Sequence, residues 1–185
     1  MNRDKFEYFL NAVHYCLWLN EKKRGHFISK IMDTILSPIP KFFFTKKRKE
    51  RFYKNIKDNQ QQFDELFYGK NASFSIGWAH HWFGYFYSCY SAFIAFIVVG
   101  IANRLLGKLD MFLFLLFFGI PIGILYIPAY RAVFSGDKYL KYFKEFEKKD
   151  DQWHKKWKRI TIAFCVGSII SAVAGFFCMA IITSI

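Results

Sequence analysis

The sequence predicts an all-α integral membrane protein. It has three transmembrane helices, a cytoplasmic amphipathic-helix region ahead of them, and a stalk helix continuous with the third span. Three observations carry that prediction. Asn71–Asn103, Met111–Tyr130 and Ile160–Ile185 contain no Asp, Glu, Lys or Arg, and a bilayer core about 30 Å thick needs roughly 20 apolar residues at 1.5 Å each. The basic residues are unevenly placed: residues 1–80 hold 15 of the 27 Lys and Arg, Arg104–Asp110 hold 2, Arg131–Arg159 hold 10, and the tail beyond holds none. Finally, neither Pro nor Gly occurs from Lys138 to Val166, so nothing in that stretch is an intrinsic helix breaker.

Residues 1–80 read as short amphipathic helices. Phe6, Phe9, Leu10, Val13 and Leu17 recur at helical spacing, with Asp4 and Glu7 near the start where the helix dipole favours acids. Glu21–Gly25 reads as a charged break. Ile28, Ile31, Met32, Ile35 and Leu36 then repeat the pattern until Pro38 and Pro40 stop it. A third helix is expected over Lys46–Tyr68, with Phe52, Ile56, Phe63 and Phe67 on one side and Gly69-Lys70-Asn71 as its close.

Residues 81–134 form the expected transmembrane hairpin, with spans at 83–103 and 111–130. Gly119, Pro121, Gly123 and Pro128 predict a kink in the second. In residues 135–185, Asp137 is placed to N-cap a helix. That helix runs as a stalk directly into the third span at 160–182, with Tyr139, Tyr142, Phe143 and Phe146 as an aromatic stripe. Covering that stripe is worth several kcal/mol at about 25 cal/mol per Å². The faces of Ile28–Leu36 and Phe52–Phe67 are the expected cover; a partner docking on the stripe is the alternative.

Cytoplasmic loops carry the Lys/Arg excess. The basic, neutral, basic, neutral order therefore puts the N-terminus and the stalk inside, and the Asn103–Asp110 turn and the C-terminus outside. The first ten residues alternate charge with aromatics and do not read as a signal peptide. A net charge of +13 invites nucleic acid as a partner, but its clustering beside apolar spans fits an anionic inner leaflet better, and no nucleic acid is expected.

The candidate functional residues fall into three sets. Small residues at four-residue spacing let helix backbones approach in lipid: Gly84, Ser88 and Ala92 in the first span, Gly119 and Gly123 in the second, Gly167, Ser171 and Gly175 in the third. The interfacial set pairs Trp78, Trp82, Trp153 and Trp157 with Lys155, Lys156, Lys158 and Arg159, and adds the run Lys46, Lys47, Arg48, Lys49 behind Phe42–Phe44. The stalk stripe is the third set, for partner docking.

No motif carries chemistry. The second and third spans contain no ionisable side chain of the kind that lines ion pathways. Adjacent His80 and His81 diverge by about 100° on a helix, without a carboxylate or Cys at ligand spacing, so no metal, cofactor or catalytic residue is expected. Cys16, Cys89, Cys165 and Cys178 read as small buried hydrophobes.

The function expected is that of a small non-catalytic polytopic protein acting through helix–helix contacts. It would be a subunit or regulator of a membrane complex, or a homo-oligomer, with no small-molecule substrate evident. An anionic-lipid-binding or membrane-deforming protein of the inner leaflet is the alternative, and a lipid-substrate enzyme or transporter component a third.

Overall fold

A computed structural model describes residues 3–36 and 73–184, and all their regular structure is helical. Helix α1 covers Arg3–Leu36, α2 Ser73–Leu106, α3 Met111–Val133, α4 Lys138–Phe146 and α5 Asp151–Ser184, with a single 3-10 turn at Ser135–Asp137. Helices α2, α3 and α5 are each long and apolar enough to cross a membrane. The helix expected at Lys46–Tyr68, Phe42–Phe44 and the Lys46–Lys49 run lie outside the described residues. The chain divides into two compact units, Met1–Leu17 with His81–Ile185, and Trp18–His80.

In the unit Trp18–His80, α1 passes through Glu21–Gly25 without the expected break. Arg24 pairs with Glu21 at 3.0 Å, one turn apart, and a single Gly costs a helix only about 1 kcal/mol relative to Ala. The indole N–H of Trp18 donates to Ser75 Oγ at 3.2 Å, tying α1 to the first turn of α2. Lys22 lies over the Trp18 ring at 5.2 Å.

The other unit is built around the first half of α1. Every residue from Leu10 to Leu17 is buried, so this segment is enclosed on all sides rather than laid on one face. Leu10, Val13 and Leu17 meet Phe83 of α2 and Ala129, Ala132 and Val133 of α3 in the hydrophobic core. Phe9 adds ring contacts to Trp157 and Phe164 of α5.

Two short turns bring the remaining elements onto α1. Between α2 and α3, Gly107 has φ +78°, and Asp110 caps α3 by accepting from the Leu113 N–H at 2.7 Å. Between α3 and α4, Gly136 and Asp137 are both left-handed, at φ 67° and 52°. Asp137 therefore turns the chain and makes no side-chain cap, contrary to its expected role.

The stalk is not continuous with the third span. Helix α4 ends at Phe146, and α5 begins at Asp151 with Asp150 Oδ1 accepting from the Trp153 N–H at 3.1 Å. Packing explains the break. In one helix Phe146 and Trp153 would stand about 10 Å apart along the axis, whereas here their rings stack at 4.8 Å. Folding back puts both on α1: Phe146 reaches Tyr8 and Tyr15, and the Trp153 indole donates to the Tyr8 hydroxyl at 3.1 Å. Helix propensity yields to aromatic burial.

Candidate functional site: helix contacts and the membrane-proximal face

Helix α2 is clamped to both α3 and α5. Tyr87 donates to the Leu125 carbonyl of α3 at 3.3 Å, and Tyr90 to the Phe164 carbonyl of α5 at 2.8 Å. Glycines make room at these contacts. A Cβ on Gly84 would stand 3.3 Å from the Tyr126 hydroxyl, and one on Gly167 only 2.7 Å from that of Tyr90. On Gly175 it would stand 2.8 Å from Phe93 Cα, so α2 and α5 touch there backbone to backbone.

Gly100 makes a similar approach, 3.2 Å from Met179 Cα, and was not among the expected packing residues. Nor were Ser91, Ala95, Val99 and Ala102, which form the buried stripe of α2 while Ser88 and Ala92 are half-buried. The spacing signal was present. Two small-residue ladders overlap in this span, and spacing alone does not say which one faces inward. Ser171 is half-buried on α5. Gly119 and Gly123 differ from the rest: they are exposed, with nothing within 4 Å of an added Cβ.

The stripe reserved for partner docking is covered by the chain itself. Phe143 and Phe146 are buried, and Tyr139 and Tyr142 are half-buried. Their cover is the Glu7–Tyr15 stretch of α1. Tyr142 donates to Glu7 Oε1 at 3.3 Å, beside a Lys138–Glu7 ion pair at 2.7 Å. His14 lies among the rings of Phe83, Phe134, Tyr139 and Phe143, with centroids 5.2–5.7 Å away. Asn11, fully buried, donates to the carbonyls of Glu7 and Ala132. Asn11 was not singled out in the sequence, where it would sit on the polar side of an amphipathic helix.

Electrostatics follow this enclosure. Burial, with Glu147 and Cys16 adding, pushes the Tyr15 phenol up from 10.0 to about 12. Burial also raises Tyr142, helped by Glu7, and the Cys16 thiol. All four cysteines are free, with Cys16 buried and the other three half-buried. Among the described residues no three His, Cys, Asp or Glu side chains converge as metal ligands do.

The interfacial set separates by direction. Trp153 and Trp157, both half-buried, pack onto Tyr8 and Phe9 of α1. Trp82 is half-buried against Phe86, and Trp78 is exposed. Lys155, Lys156, Lys158 and Arg159 are all exposed on the first turns of α5. Set against protein-family models, curated proteins and solved structures, the chain finds no match.

Proposed function

We propose that this chain is a non-catalytic, three-span membrane protein that acts as a subunit or regulator of a membrane complex. Its N-terminus and α4 lie in the cytoplasm, and it binds its partner through a transmembrane helix rather than through α4.

The supporting observation is the asymmetry of α3. None of its most apolar stretch is buried within the chain, against 28% for α2 and 11% for α5. Gly100, Gly167 and Gly175 are used in contacts between α2 and α5, and Gly84 in one with Tyr126 of α3, whereas Gly119 and Gly123 face open space. In lipid, where apolar burial no longer drives association, such a pair is where a second helix can approach closely.

The test is purification of the full chain from its native membrane in mild detergent, beside the Gly119→Leu/Gly123→Leu variant. The wild type should retain a stoichiometric partner chain, or a second copy, that the variant loses at unchanged helix content. A wild type that runs as a lone chain would rule the reading out.

A further inference from the structure

Helix α5 carries two faces that differ in kind. Taking 100° per residue, Trp153, Trp157 and Phe164 point one way, onto α1 and α2. Lys155 and Arg159 point the opposite way. Ile162, Val166, Ile169 and Ile170 follow on that outer side, within about 60° of the Lys155 direction, and are 50–62% exposed. Lys158 flanks the same arc. From Gln152 to Ile185 there is no acid, whereas the acids at Glu145, Glu147, Asp150 and Asp151 all precede it, and Lys149 is already paired with Glu145 at 3.2 Å. Where α5 meets its apolar stretch, Lys155, Lys158 and Arg159 are therefore exposed positive charges with no acid among or after them on the helix. Ile162 to Val173 spans about 16 Å, the depth of one leaflet.

We propose that this outer arc of α5 binds an anionic phospholipid, with its headgroup held by Lys155, Lys158 and Arg159 and its acyl chains along Ile162 and Val166. An amphiphile is the ligand whose own charge and apolar length match both halves of the arc. The proposal rests on the membrane reading above, though not on the partner.

The full chain would be reconstituted in vesicles of equal phosphatidylcholine and phosphatidylglycerol, extracted in neutral detergent, and its retained lipid counted by mass spectrometry. The wild type should hold phosphatidylglycerol about a hundredfold over phosphatidylcholine, falling about fivefold per charge removed at Lys155→Gln, Lys158→Gln and Arg159→Gln. Lys141→Gln/Lys144→Gln/Lys148→Gln, removing as much charge elsewhere, should keep the preference. Equal loss in that control would mean diffuse attraction and overturn the site. Inorganic phosphate at matched ionic strength should not displace the lipid; displacement would mark a free-anion site instead. The wild-type comparison decides even if a variant fails to fold: a chain held in the vesicle without preference refutes the lipid site. A chain not held at all refutes the membrane reading.

Discussion

At the scale of the residue, Gly175 is the position with least freedom. The atom a side chain would meet is Phe93 Cα at 2.8 Å, followed by its carbonyl oxygen at 3.2 Å, and backbone cannot swing aside as a side-chain tip can. Gly175→Ala should therefore lower stability by about 1–3 kcal/mol, although Ala is the better helix former. Gly123→Ala, with open space around it, should raise stability by up to about 1 kcal/mol. Thermal unfolding in one detergent would compare the two, and equal signs would contradict the contact. Tyr15 gives a second test. Its folded pKa is raised, so the fold favours the neutral phenol; that stability is complete below pH 10 and is lost as pH climbs toward about 12. Tyr15→Phe should flatten the fall in melting temperature over that window, with a smaller slope left from Tyr139 and Tyr142, whose phenols are also raised by burial.

At the scale of the element, what could be read from sequence depended on whether local chemistry decides the outcome. The three long apolar helices were legible because no charged residue interrupts any of their apolar stretches. The break at 147–150 was not, because Lys and Glu are good helix formers and the turn goes with tertiary contacts, Phe146 stacking on Trp153 and both packing on α1. Asp150 as a cap was the one clue present. The surroundings of α1 were equally hidden, since Asn11 meets Ala132 at the end of α3, and His14 meets Phe83 of α2, Phe134, and Tyr139 and Phe143 of α4, all distant in sequence. The stalk was expected to find cover on the N-terminal region, and it does so at Tyr8 and Tyr15, while the side chains of the expected cover, Ile28–Leu36 and Phe52–Phe67, lie outside the described residues. Phe143→Ser/Phe146→Ser should accordingly destabilise the isolated chain by several kcal/mol, at about 3–5 for each large aromatic lost from a core. Denaturant unfolding of the purified protein would measure it, and an unchanged midpoint would return the stripe to a partner.

At the scale of the whole molecule, α2, α3 and α5 alternate direction if all three cross the bilayer, and charge then sets the orientation. Single cysteines at Lys141 and at Leu106, in a chain whose four native cysteines are replaced by Ser, should react with an impermeant reagent from opposite sides, Lys141 from the cytoplasm. Labelling from one side would break the topology. The enclosed segment of α1 also has a history. Asn11 bonds to a carbonyl 121 residues downstream, and Tyr8 to an indole 145 residues downstream. At about 5–20 residues per second of synthesis, Leu10–Leu17 waits on the order of ten seconds before its partners exist. Over that interval it is an apolar stretch with Asn11 and His14 at its centre and without its later cover. This buried segment thus precedes by 121 and 145 residues two of the groups that enclose it, and in that interval it is open to proteases and to wrong partners.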